Sequence, residues 1–359
     1  MLVYHNYLLI DMFMDTENNI QNKGLFRQVF DEVISYFSPR SQKVIRMRYG
    51  IGAEKAKTLE EIGNKYQITR ERVRQIIQEI IKKIISKKIG DANIKEVKKN
   101  IVFTIAEKNG IITEKEMLSL LGGSTQEEKG FILFFLDIFN EISSLKIPQE
   151  MEPAILLPDF DIESWKNIKN STKEILEKNS KPLNDEDLFR EISIREKEID
   201  KKKFFDFLNV SAEIKKNNFG KWGVVHWKEI SPKGTREKIH LILSEIRKPL
   251  HFREIAKYID IHKLSKKKAH PQTVHNELIK DSRFVLIGRG IYALSEWGYQ
   301  KGTVKDVLKN ILQNSKEPMN KDDILNKVFE LRQVKKSTII INLNNYFVKI
   351  GKDCYALKK

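Results

Sequence analysis

An internal repeat places the strongest constraint on how this chain folds. Three segments share one layout, SKPLNDEDL from Ser180, RKPLHFREI from Arg247 and KEPMNKDDI from Lys316, and their prolines lie 67 and then 69 residues apart. The last two copies also share the block before the proline, KGTREKIHLIL from Lys233 and KGTVKDVLKNIL from Lys301. A regular period of this kind is typical of a chain built from several similar small domains.

Each copy has the pattern of a winged-helix domain. The order is a helix, a short x-P-[LM] linker, a second and a third helix, and two short strands joined by a glycine turn. In the copy that begins at Lys233, we predict these strands at Phe284 to Ile287 and at Ile291 to Leu294, around Gly288-Arg289-Gly290. A more distant first copy starts near Asn109.

The segment before the repeats predicts a helix-turn-helix. A helix from Arg40 ends at the glycines of YGIG, and a second begins at Thr58, which forms a T-x-x-E capping box with Glu61. Two residues separate this helix from a third one, capped by Thr69. The predicted segments are 1–23 (N-terminal), 24–90 (helix-turn-helix), and 92–165, 166–231, 232–299 and 300–359 (winged helices).

The third helix of this segment has two contrasting sides. Apolar residues at helical spacing predict a face packed in a core; they are Val73, Ile76, Ile77, Ile80, Ile81, Ile84 and Ile85. The opposite, exposed side carries Arg70, Glu71, Arg74 and Gln75. Arginine can bond guanine, glutamine can pair with adenine, and glutamate can accept from cytosine. We therefore predict a base-reading surface, because an ordinary solvated face more often alternates Lys and Glu.

The charge balance favours a polyanionic partner. The chain has 65 Lys+Arg against 49 Asp+Glu, a net charge of +16 and a pI near 9.5, so nucleic acid is the first expectation and an anionic membrane surface the second. The longest apolar run, Phe131 to Leu136, is far shorter than the roughly 20 residues that span a bilayer. We expect a cytoplasmic protein without a membrane partner. The single cysteine, Cys354, excludes an intrachain disulfide.

Residues Ser38 to Ile76 resemble region 4 of the sigma-70 family of bacterial transcription initiation factors. The blocks P-R, V-I-R-M-R-Y-G, T-L-E-E-I-G and T-R-E-R-V-R-Q-I occur in the family's order. In that family the third helix enters the major groove of the upstream (−35) promoter element. The resemblance implies base reading by the four polar residues named above. The predicted phosphate contacts in this segment are Arg40, Arg48, Thr58 and Arg72.

Residues Lys248 to Tyr299 resemble the HARE-HTH winged-helix family, which includes the delta subunit of bacterial RNA polymerase. The residues that carry the resemblance are Pro249, Leu250, Ile255, Pro271, Thr273, Val274, Leu278, Asp281, Arg283, Phe284, Gly288, Gly290, Tyr292, Leu294 and Trp297. Most have core or turn character, so they identify the fold better than the function. An insert at Lys263 to His270 departs from the family. Its Lys266, Lys267 and Lys268 are predicted phosphate contacts, with a plain solvated loop as the alternative.

The sequence favours no enzymatic reading. The carboxylates of PDFDIES are not followed by further ligands; they are Asp159, Asp161 and Glu163. The spacing of three nearby histidines does not align them on one helix face; they are His262, His270 and His275. There is also no phosphate-binding glycine loop and no nucleophile elbow. We expect no catalytic residues, no metal, no cofactor and no small-molecule substrate.

Together these features predict a mainly helical chain with small β wings, an N-terminal helix-turn-helix followed by tandem winged-helix domains. The expected function is sequence-specific DNA-binding transcription regulation, with double-stranded DNA and RNA polymerase as partners. The segment before Arg40 is too short for the domain with which a complete sigma factor melts promoters, so we do not expect initiation by this chain alone. Two alternatives stay open: a delta-like accessory factor of RNA polymerase, and a targeting subunit of a DNA-modification or restriction system.

Overall fold

A computed structural model describes residues 18–53, 55–299, 302–315 and 317–358, with side chains from residue 24 onward. Of the predicted N-terminal segment, residues 1–17 lie outside this range. The fold is mostly helical with small antiparallel sheets, as predicted. In the described part of the chain, no helix is long and apolar enough to cross a membrane. The described residues divide into two compact units: those up to 178 together with 186–215, and 179–185 together with those from 216 onward.

The first unit is largely helical. Its helices are α1 (Asn18–Ser35), α2 (Pro39–Tyr49), α3 (Leu59–Tyr66), α4 (Arg70–Ser86), α5 (Asp91–Ala106), α6 (Glu114–Leu120), α7 (Gln126–Ile138), α8 (Ile162–Asn179), α9 (Asp185–Arg195) and α10 (Lys201–Asn209). Its strands are β1 (Ile111–Thr113), β2 (Ser143–Leu145), β3 (Ala154–Leu156) and β4 (Ile214–Lys216). Helices α8 and α9 and strand β4 reach the boundary of the unit.

The second unit contains two helical triplets and their strands. Its helices are α11 (Thr235–Ile246), α12 (Phe252–Ile261), α13 (Pro271–Lys280), α14 (Val304–Asn314), α15 (Lys321–Leu331) and α16 (Lys336–Tyr346). Its strands are β5 (Trp222–Val224), β6 (Leu250–His251), β7 (Phe284–Gly288), β8 (Ile291–Leu294), β9 (Met319–Asn320), β10 (Val348–Ile350) and β11 (Cys354–Ala356). The strands predicted around Gly288 to Gly290 are confirmed.

Three small sheets share one strand order. In each, the strand that comes last in the chain lies in the centre: β1-β3-β2, β6-β8-β7 and β9-β11-β10. The prediction that the x-P-[LM] segments are linkers is wrong, because in the last two copies they form the edge strands β6 and β9. The backbone groups that follow each proline are free to pair with the central strand. Leu183, in the first copy of the motif, likewise pairs with Trp222.

The core of the first unit joins the helix-turn-helix to the segment that follows it. Phe30 of α1 contacts Phe131 and Phe134 of α7, with ring centroids 5.1 and 5.0 Å apart. Helix α7 approaches the end of α2 so closely that a Cβ on Gly130 would lie 2.4 Å from the carbonyl oxygen of Tyr49. The buried residues of this core extend from Phe26 to Leu157. One apolar core therefore crosses residue 90, the predicted end of the helix-turn-helix.

A buried hydrogen bond also ties α7 to α2. The Tyr49 hydroxyl donates to Oδ2 of Asp137 at 2.6 Å. Burial, and then the charge of Asp137, raises the pKa of the Tyr49 phenol far above its ordinary value. The phenol is thus a permanent donor, and the bond holds the end of α7 beside the end of α2 throughout the ordinary pH range.

Candidate nucleic-acid interface

The predicted helix-turn-helix is formed by α3, a short turn and α4. Thr58 caps α3 as expected: its hydroxyl accepts from the backbone N–H of Glu61 at 3.2 Å, and its own N–H donates to the Glu61 carboxylate at 2.7 Å. The turn is tight, since Gln67 has φ +57° and a Cβ on Gly63 would lie 2.6 Å from the carbonyl oxygen of Ile68. Thr69 then caps α4 by accepting from the N–H of Arg72.

Helix α4 has the two sides that its sequence predicts. Val73, Ile77, Ile80 and Ile84 are buried, and Ile76 and Ile81 are partly buried against the same core. The prediction is wrong for Ile85, which is 45% exposed because it lies in the last turn, beyond the packed stretch of the helix. On the other side, the predicted base-reading residues are all exposed: Arg70, Glu71, Arg74 and Gln75.

The exposed side of α4 is organised by pairs of polar side chains. Arg74 donates to both carboxylate oxygens of Glu71, at 2.8 Å from Nε and 2.5 Å from Nη2. This hydrogen bonding holds the pKa of Glu71 below its ordinary value. Arg72 donates to Gln75 at 3.1 Å and reaches Glu79 at 3.4 Å. Exposed ion pairs contribute little to the stability of the fold. These side chains can therefore leave their present partners and bind base edges or phosphates at a small cost in free energy.

Two open grooves border α4, and each has cations on its rim. The first groove, about 620 Å³, lies between α2, α4 and α7; its lining includes Arg48, Arg74 and Lys82. The second groove, about 390 Å³, lies between the start of α2 and α4; its lining includes Arg40, Arg72 and Lys83. Three of the predicted phosphate contacts, Arg40, Arg48 and Arg72, therefore lie on the flanks of the exposed helix, whereas Thr58 lines neither groove and caps α3. Their roles stay predictions.

The geometry adds two residues to the predicted set and explains why one arginine is unsuited to it. Gln78 and Lys82 continue the row of Arg70 and Arg74 at steps of four residues, and they line the first groove. The same helical period in the sequence could have identified them. Arg46, in contrast, is bound to Asp31 at 2.7 Å and lies over the ring of Phe30, so its guanidinium stabilises the packing of α1 on α2.

The remaining candidate residues lie elsewhere. Lys266, Lys267 and Lys268 are exposed and belong to the second compact unit. In PDFDIES, the Asp161 carboxylate accepts from the backbone N–H groups of Glu163 and Ser164, so it caps the start of α8. Among the described residues, no group of three or more His, Cys, Asp or Glu side chains is placed to hold a metal ion.

Comparisons with known proteins converge on the helix-turn-helix. The family model for sigma-70, region 4 matches residues 34–84. The chain is 44% identical over 62 residues to RNA polymerase sigma factor SigA of Nostoc sp., covering 17% of this chain and 16% of that protein. It is 50% identical over 54 residues to SigA1 of Synechococcus elongatus (15% and 14%) and 42% identical over 69 residues to RpoD of Neisseria gonorrhoeae (18% and 11%).

These matches cover less than a fifth of this chain and of each relative. The chain thus contains a sigma-70 region 4 domain at residues 34–84, and the similarity extends to a small part of the sigma factors only.

Proposed function

We propose that this protein is a sequence-specific DNA-binding transcription regulator in which α4 reads a short element related to the −35 promoter element. The observation that carries the proposal is the exposed face of α4, with Arg70, Glu71, Arg74 and Gln75 between two cation-rimmed grooves. An α-helix fits the major groove, where these side chain types distinguish base pairs and the flanking cations can bind phosphates. The match to region 4 of RNA polymerase sigma factors supports the same function.

The test is selection of bound sequences from random duplexes by the full chain. Arg74→Ala removes one base-reading guanidinium and is expected to flatten the preference at one or two positions, a loss of about 1–3 kcal/mol of discrimination. Arg27→Ala is the matched control, because it removes the same charge from α1, where Arg27 pairs with Asp31 on the surface. The selected motif should be unchanged in the control. An unchanged motif in Arg74→Ala would contradict the base-reading role.

RNA polymerase is the second partner in the proposal. Residues 91–165 contain 7 Lys+Arg against 14 Asp+Glu, the reverse of the balance in residues 24–90, which contain 15 against 7. An acidic surface repels DNA, so this segment suits a protein contact better than a nucleic-acid contact. Recovery of polymerase on the immobilised protein after nuclease treatment tests this part. Loss of the polymerase on nuclease treatment would show that DNA alone bridges the two.

For residues 248–299, we propose a winged-helix domain of the HARE-HTH type. Its support is the strand order β6-β8-β7 and the burial of the residues that carry the resemblance, among them Leu250, Ile255, Val274, Leu278, Phe284, Tyr292 and Leu294. Several linked modules raise apparent affinity through effective concentration, so none of them needs to bind DNA tightly.

A further inference from the structure

Helix α13, the third helix of the module at 232–299, presents a stripe of two amides and an isoleucine to solvent. Val274 and Leu278 anchor its other side in the core. On the exposed side, Gln272, Asn276 and Ile279 follow one another at i, i+4 and i+7. Ile279 is 65% exposed, which is far more than its hydrophobicity favours. An apolar side chain beside two amides on an outward helix face therefore indicates a contact surface.

The two amides are linked in a way that leaves one acceptor and one donor facing outward. Nε2 of Gln272 donates to Oδ1 of Asn276 at 3.2 Å. Oδ1 is thus occupied, while Oε1 of Gln272 can still accept and Nδ2 of Asn276 can still donate. Adenine offers the complementary pair in the major groove, a donor at N6 and an acceptor at N7, and its partner thymine adds a methyl group. The thymine methyl group can pack against Ile279, so the stripe is chemically complementary to an A·T base pair.

The loop just before α13 carries three exposed lysines. The loop is fixed at both ends, because the N–H of Ala269 donates to Asp260 at 2.7 Å and Nζ of Lys238 donates to Ser265 at 2.8 Å. Between these anchors Lys266–Lys268 are exposed, directly ahead of the start of α13. The loop is therefore held at both ends and carries its exposed lysines just before the start of α13, where the phosphate backbone of a bound duplex would pass.

Charge around α13 also favours a polyanion. Residues 232–299 contain 14 Lys+Arg against 7 Asp+Glu. The carboxylates closest in sequence to the stripe are neutralised by arginines: Glu277 is paired with Arg236 at 2.5 Å, and Asp281 with Arg283 at 2.6 Å. A phosphate backbone can thus approach α13 without meeting an unpaired carboxylate of that helix.

We infer that α13 is a second DNA-reading helix, which enters the major groove of duplex DNA and selects A·T base pairs through Gln272, Asn276 and Ile279, with Lys266–Lys268 on the flanking phosphates. The inference is independent of base reading by α4, since it rests on side chains of the other compact unit.

The first test measures the preference of the full chain for A·T-only over G·C-only duplexes of equal length, by fluorescence anisotropy. The background is Arg74→Ala, which lowers the contribution of α4. Adding Gln272→Ala with Asn276→Ala is expected to reduce the A·T preference about tenfold or more. The control is Asn326→Ala, an exposed amide on α15. Because Gln75 of α4 remains in this background, the decisive quantity is the change in A·T preference: a preference that falls no further with the double substitution than with Asn326→Ala would overturn the inference, while the test of α4 on its own motif is unaffected.

The second test concerns the lysines. Lys266→Ala, Lys267→Ala and Lys268→Ala together should reduce the slope of log affinity against log salt concentration by about 2–3, since each phosphate contact contributes about 0.9. The matched control removes the same charge from residues 91–165 through Lys95→Ala, Lys99→Ala and Lys115→Ala, and should leave the slope unchanged. Equal slopes for the two triple variants would overturn the inference. It would also be overturned if the Lys266, Lys267 and Lys268 variant bound DNA like wild type but no longer recovered RNA polymerase.

Discussion

Helices α4 and α13 pack against their cores in the same way, but their exposed sides carry different side chains. Each buries one apolar side and exposes the other. The exposed side of α4 carries arginines paired with carboxylates, whereas that of α13 carries amides and an isoleucine. The fold thus supplies a helix that can enter a groove, and the side chains determine which base pairs it would select.

The two helices also differ in what supports them. The buried residues of the core behind α13 lie between Ile239 and Leu294, within a single module. Behind α4 the core extends from Phe26 to Leu157 and includes three phenylalanines of α7. α4 therefore depends on a segment with the opposite charge balance, which follows it in the chain. In the first unit, the proposed DNA-reading helix and the proposed protein-facing segment share one apolar core.

The largest expected effect tests this dependence. Phe134→Ala removes a fully buried ring that contacts Phe30 and Tyr49, and it should cost about 3–5 kcal/mol of stability. Because the cavity lies behind α2, hydrogen exchange in residues 58–86 should accelerate and the motif read by α4 should weaken. Phe284→Ala, in the core of the α13 module, is the control. If residues 58–86 exchange equally fast in both variants, the two helices do not differ in their support.

Sequence reasoning succeeded where the determining interactions are local. The cap at Thr58, the turn before Thr69 and the two sides of α4 depend on residues a few positions apart, which a helical period makes readable. It missed the shared core, because the run Phe131 to Leu136 shows that α7 is buried but not which helices cover it. It also missed strands β6 and β9, since two residues are too short to show an alternating pattern.

A smaller effect should sharpen the comparison between the two exposed faces. The carboxylates of α4 would repel phosphates when the helix binds a duplex that lacks its preferred sequence. Glu71 is one of them, and its two oxygens accept hydrogen bonds from Arg74 at 2.8 and 2.5 Å. Glu71→Ala should therefore raise affinity for random duplexes by about 1 kcal/mol while lowering discrimination at one base pair. Glu277→Ala is the matched change on α13. It frees Arg236, so any rise in random affinity there should come without a change in A·T preference.

These two changes are read from titrations of the full chain with a random duplex and with its selected site. A rise in both affinities by the same factor in Glu71→Ala would contradict the proposed discrimination by this carboxylate. It would show that Glu71 acts through net charge only.

The smallest expected effect concerns the end of α13, which is fixed by an ion pair. Asp281 accepts from the guanidinium and the backbone N–H of Arg283, and these bonds lower the pKa of Asp281 to about 2 from its ordinary 3.8. A carboxyl group with a depressed pKa stabilises the folded state above its ordinary pKa, and that stabilisation disappears as pH falls from about 4 to about 2. Protection of residues 271–294 against hydrogen exchange should therefore decrease by about 1–2 kcal/mol over this interval.

Asp281→Asn should lose the protection at pH 6 and show little further pH dependence in that segment, with wild type measured at each pH to cancel intrinsic exchange. A variant as well protected as wild type at pH 6 would mean that packing of Val274 and Leu278 alone positions α13.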